Sequence, residues 1–173
     1  MTLKKFFCFI LLFLALAACK HDPLDIDIST TNVQIGFTNL DSLLYNTPAE
    51  QLPELRKELS SSISDIFDYQ IGYCMRIGRV HDTAFVNSIL QYRADTNIIR
   101  LEKEIAGQFH DLSSYKKKLI LAFRHLKTHL PDAKIPQQIV FQNSLFNSSA
   151  FCTEHEIGIG LDQYLGAESP TIK

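Results

Sequence analysis

The sequence predicts an α+β fold in which a helical N-terminal two-thirds packs on a small C-terminal β-sheet. Three observations predict it. Apolar residues recur at three- and four-residue steps through much of the stretch from Leu52 to Leu130, the period of one helix face. Beyond Pro131 the pattern changes: Gln138-Ile139-Val140-Phe141 is β-branched and aromatic, and Glu156 to Leu161 alternates as a strand does. The third is composition. A chain of 173 residues with 46% hydrophobic and 21% charged residues suits one globular domain, and it shows no internal repeat or low-complexity block.

The first eighteen residues stand apart. Lys4 and Lys5 precede an unbroken apolar run from Phe6 to Ala18. Thirteen helical residues span roughly 20 Å, short of the ~30 Å hydrocarbon core, so a secretory signal is favoured over a membrane span. Leu16-Ala17-Ala18-Cys19 has the form of a bacterial lipobox. A thioether to diacylglycerol needs a thiol at the first mature residue, and Cys19 supplies it; a plain signal peptide with a chance cysteine is the alternative. One acyl chain, at ~0.8 kcal/mol per buried methylene, holds a membrane only marginally, whereas two or three palmitate-like chains make attachment effectively permanent. The expected organisation is a signal peptide over residues 1–18, a polar tether over 19–31 containing Pro23, and one α+β domain over 32–173.

Removing residues 1–18 deletes two lysines and no acids, leaving fifteen Lys and Arg against nineteen Asp and Glu, a formal charge of −4. Lys116-Lys117-Lys118, the one basic run, reads as a solvated helix face, so nucleic acid is not an expected partner. Cys74 and Cys152 remain in an oxidising compartment. A disulfide across their 78-residue interval would add on the order of 4 kcal/mol, but two free thiols is the preferred reading.

The domain opens with a short strand over Asn32 to Phe37, then Asn39, Asp41 and Ser42 as turn or cap residues. Thr47, Pro48 and Glu50 resemble a capping box, and Leu52, Leu55, Leu59 and Ile63 form a helix stripe that tolerates Pro53 only if the helix begins late. Ser60-Ser61-Ser62 loosens that helix. Ile66 to Ile77 is apolar enough to be buried, with Gly72 and Gly78 marking a turn or a close approach. Short helices follow over Thr83–Tyr92 and Ile98–Phe109. Ser113 and Ser114 cap a longer one, with Tyr115, Leu119, Phe123, Leu126 and Leu130 on one stripe, ended by Pro131. Asn147-Ser148-Ser149 is a turn, so Ala150 to Thr153 is expected to fold back as a second strand. The whole stretch from Ser113 to Gly166 is expected to be the hub around which the rest packs.

Candidate chemistry is sparse. His125 and His129 lie four apart on one helix face, as in zinc peptidases, but Leu126 stands where the general-base glutamate belongs. Surface or capping histidines is the preferred reading, and they are weak metal candidates. Glu154-His155-Glu156 reads as a polar hairpin tip, and Ile159 denies it the zinc-peptidase pattern. Gly158-Ile159-Gly160 lacks the third glycine of a dinucleotide loop and suits close strand packing or a bulge. Asp162 reads as a helix cap. No phosphate loop or serine elbow is present. The residues point to no catalytic site and no cofactor.

Pro131-Asp132-Ala133-Lys134-Ile135-Pro136 after an amphipathic helix, then Gly160-Leu161-Asp162-Gln163-Tyr164-Leu165-Gly166, resembles the gliding-motility lipoprotein GldB family. Gly160, Leu161, Asp162, Tyr164, Leu165 and Gly166 are the most specific part, and the resemblance extends back through Leu52 to Lys57. It implies a lipid-anchored envelope protein at the inner or outer membrane, outside the cytoplasm, meeting other envelope or motility proteins without catalysis. Lys20-His21-Asp22 is similar to lipoprotein surface-export signals in gliding bacteria, at imperfect spacing, so the leaflet stays open. The resemblance also implies a longer protein lacking its C-terminal half here, the first half of a zincin-like domain whose metal helix would lie beyond Lys173. An envelope zinc metallohydrolase using His125, His129 and either Glu154 or Glu156, or a truncated product without its own function, are the alternatives.

Overall fold

The computed structural model describes residues 26–171. The expected signal peptide, Cys19 and the tether up to residue 25 lie outside the described residues. The rest of the tether is docked: the Arg124 guanidinium donates to the carbonyls of Ile28, Ser29 and Thr31, and the Thr31 and Thr128 hydroxyls lie 2.6 Å apart.

Strand β1 (Gly36–Asn39) runs directly into helix α1 (Leu40–Asn46), which the sequence suggested only as turn or cap residues. Asn39 ends one and caps the other, its side-chain oxygen accepting from the Ser42 amide at 3.1 Å. The capping box at Thr47 does not form. A 3₁₀ turn (Ala49–Gln51) precedes α2 (Leu52–Ser62), which places Pro53 in the first helical turn, where its missing N–H costs nothing. The serines that were expected to loosen α2 stay helical, with Ser61 and Ser62 donating to the Glu58 carbonyl. The break comes at Ile63.

Helix α3 (Ser64–Tyr69) continues as one π-helical turn (Gln70–Cys74). Helix α4 (Phe85–Ala94) hands over at Asp95, whose carboxylate caps α5 (Thr96–Gln108). Helix α6 spans Ser113–His129, yet neither serine caps it: the Asp111 carboxylate accepts from the Ser113 amide at 2.8 Å. Strands β2 (Gln138–Gln142), β3 (Ala150–Cys152) and β4 (Glu156–Gly160) complete the sheet, and a 3₁₀ turn covers Leu161–Tyr164.

The architecture is α+β, with the sheet order β1-β2-β4-β3. Strand β3 folds back on β4, not on β2: Ala150 pairs with Ile159 and Cys152 with Ile157, antiparallel. Strand β2 instead lies parallel between β1 and β4. Its residues explain the choice. Ile139, Val140 and Phe141 are all buried, as befits a parallel strand covered on both faces, and no solvent-facing alternation survives.

Strand β2 also divides the core. Val140 joins one cluster with Leu40, Leu52, Leu59, Ile63, Ile66, Phe67 and Ile89, on the side of α1 to α4. Ile139 and Phe141 join the other, with Leu101, Ile105, Phe109, Leu161 and Leu165. Helix α6 flanks this second cluster through half-buried Leu119 and Phe123 and has no buried residue of its own. Within the stretch expected to be the hub, the centre is therefore the strand, not the long helix.

Candidate functional site

The parallel strands β1, β2 and β4 end on one edge of the sheet, where Asn39 lies in register with Phe141, and Gln142 with Gly160. The carboxyl ends of parallel strands are where open sheets gather ligands. Here the residues just past those ends are Asp41, Asn143 and Asp162, and all three are buried.

Asn143, fully buried, joins the elements. Its side-chain amide donates to Glu102 of α5 at 2.8 Å, its backbone carbonyl accepts from the Gln70 amide at 2.7 Å, and its N–H bonds Asp41. The Tyr92 hydroxyl of α4 is the second partner of Glu102. Asp162 organises the loop after β2. Its carboxylate accepts from the Ser144 amide at 2.7 Å, the Ser144 hydroxyl at 2.9 Å and the Phe146 amide. That loop carries Leu145 and Phe146 at φ of 50° and 59°, a conformation disfavoured for side chains with a Cβ and held here by the hydrogen bonds to the buried Asp162 side chain. The expectation that Asp162 caps its own helix is thus corrected: it makes no cap bond there and reaches across to another loop.

Asp41 and Glu102 line a pocket of about 380 Å³ between α1 and α5. Burial, with the neighbouring Glu102 next, holds the Asp41 carboxyl well above the usual carboxylate range. Burial likewise raises Glu102, against the Asn143 bond, which favours its ionised form. Tyr92 is raised for the same reason. The Cys74 thiol is pushed up to about 11 by burial and by the neighbouring Asp162 and Asp41 carboxyls, so it is a thiol and not a nucleophile. One oxygen of the Asp41 carboxyl, Oδ2, is closed off from solvent and has no hydrogen-bond partner among the described residues.

The histidine pair does not join this site. The His125 and His129 rings stack on α6 with centroids 6.4 Å apart and an interplanar angle of 16°. Among the described residues, no group of three or more His, Cys, Asp or Glu is placed to hold a metal ion. Cys74 is buried, Cys152 is exposed, and both are free thiols in the structure. Glu154 and His155 do form an exposed tip, but Glu156 does not belong to it. Its buried carboxylate accepts from the Ile66 amide at 2.8 Å and so caps α3 from the distant strand β4.

The segment from Gly160 to Gly166 closes the same edge. A Cβ on Gly160 would lie 2.2 Å from the Ser148 carbonyl oxygen, so the glycine permits the close approach the sequence suggested, without a bulge in the register. Leu161 and Leu165 are buried, Tyr164 is half-exposed with its carbonyl accepting from Gln108, and Gly166 turns the chain at φ 87°.

A family model for the gliding motility protein GldB matches residues 21–173. The chain belongs to the GldB family. No curated protein and no solved structure matches it. The match spans the whole sheet and every helix described above, so the acidic pocket lies within the GldB region of the chain. The family places the chain among gliding-motility lipoproteins. Among the described residues no helix is long and apolar enough to cross a membrane.

Sequence reasoning missed the pocket. Asp41 passed as a turn or cap residue and Tyr92 as one apolar position of a short helix, while Glu102 and Asn143 drew no notice. Glu102 follows Leu101 at the edge of an apolar stripe, a position that in sequence looks solvated. The one available signal was an Asn directly after a strand of wholly apolar interior.

Proposed function

We propose that the protein is a lipid-anchored component of the cell envelope that serves surface motility or the linked secretion machinery by binding other envelope proteins, without catalysis. Membership of the GldB family carries this reading. Cys19, directly after Leu16-Ala17-Ala18, is the residue that takes the lipid; the signal before it is removed, and residues 32–173 act as the binding body.

The test is fractionation of cells carrying the natural chain or Cys19→Ala. The natural chain pellets with membranes, and its N-terminal peptide shows the mass of an acylated cysteine. Cys19→Ala leaves the membrane fraction. An unmodified Cys19 in the natural chain would overturn the anchor.

A further inference from the structure

We infer that the outward face of α6 is a membrane-contact surface that rests on anionic lipid headgroups. Charge is the first observation. The helix holds Lys116, Lys117, Lys118, Arg124 and Lys127 and no acidic residue, while the chain after residue 18 has a formal charge of −4. Steps of four from Lys117 bring Leu121, His125 and His129 onto one face, with Lys118 beside them. This face turns away from Leu119 and Phe123, which pack on the second apolar cluster. Lys117, Lys118, Leu121 and His129 are exposed. None of the ion pairs among the described residues uses Lys116, Lys117 or Lys118. Lys116 instead lies over the Phe37 ring, 5.7 Å from its centroid, and Asp111, the acid beside Lys117, is engaged by the Ser113 amide.

The tether favours a membrane over an acidic protein. Ile28, Ser29 and Thr31 dock on Arg124, and Thr31 also meets Thr128, so the chain reaches the domain along this same helix. Residues 19–25 separate the lipid-bearing position from Ile26. Fully extended they span roughly 25 Å, about the length of α6 itself. A lipid on Cys19 therefore keeps the helix within one helix length of the bilayer. That limit rests on the anchor proposed above; the charge pattern does not. Basic side chains on a helix are drawn to anionic headgroups, and an apolar neighbour such as Leu121 enters the interfacial layer. Such a contact sets which side of the domain faces other envelope proteins.

The test places the full natural chain in nanodiscs doped with a headgroup-spin-labelled lipid and reads the broadening of amide signals. With roughly a third of the lipid as phosphatidylglycerol, broadening is expected to be greatest within Ser113–His129 and to centre on Lys117, Leu121 and His125. It falls roughly threefold or more in discs of phosphatidylcholine alone, at about 0.5 M NaCl, and in Lys117→Glu/Lys118→Glu. Both side chains are exposed, and acids suit the N-terminal half of a helix, so this variant keeps the fold. Broadening centred on another face, or undiminished by salt or by the charge reversal, overturns the inference and leaves the anchor standing. A chain that elutes with phosphatidylglycerol discs but not with phosphatidylcholine discs overturns the anchor and supports the helix contact. Elution apart from both kinds of disc overturns both.

Discussion

Asp41 and Asp162 lie at matching places, just past the ends of parallel strands, and meet opposite fates. Asp162 accepts from two backbone amides and a hydroxyl, which repay the loss of its hydration. Asp41 keeps one oxygen unpartnered, so the neutral acid is favoured. A carboxyl raised in the folded chain binds its proton more tightly there than in the unfolded chain. The stability it contributes is full below its ordinary value, 3.8 for Asp41 and 4.5 for Glu102, and is lost as pH rises through the elevated folded value. The urea midpoint is therefore expected to fall as the pH rises above 4.5, and Asp41→Asn to shrink that fall. An equal decline in both proteins would mean that Asp41 ionises freely in the fold.

Among the elements, β4 depends on the smallness of one residue at its end. Gly160 meets the Ser148 carbonyl and the Ser144 side chain, neither of which can withdraw without disturbing the loop that Asp162 holds. Gly160→Ala is expected to cost about 2–3 kcal/mol in urea unfolding, in the range for forced overpacking. Gly107 is the counterpart, exposed in the last turn of α5 with nothing near its missing Cβ. Gly107→Ala is expected to stabilise by roughly 0.5–1 kcal/mol, through the lower entropy of the unfolded chain. Helix α3 shows the same reliance on distant residues: its start lacks a local cap, and Glu156 provides one from ninety positions away.

Across the whole molecule, the two apolar clusters share a single strand. Val140 faces one while Ile139 and Phe141 face the other, so neither side can dissolve and leave β2 in place. Phe141 also stacks on Phe37 of β1 with ring centroids 6.2 Å apart. Phe141→Ala is expected to cost about 3–5 kcal/mol. The far-UV signal, dominated by the helices, and tyrosine fluorescence should then shift to lower urea together. Separate transitions would show the two sides to be independent folding units. The docking of Ile28 to Thr31 on Arg124 belongs to this scale as well, because it fixes where the expected tether leaves the domain.

The sequence by itself determined α2, α4, α5 and α6 and the three C-terminal strand segments, since hydrophobic period and Pro or Gly punctuation are local signals, whereas α3 was legible only as a buried apolar stretch. It also carried the family, through Gly160 to Gly166. Strand pairing, the caps supplied by Asp111 and Glu156, and the meeting of Asp41, Glu102 and Asn143 were decided only in three dimensions. The caps and the acidic meeting join residues whose side chains look solvated one by one, and the strand order depends on partners far away in sequence, so only the folded chain gives them a role.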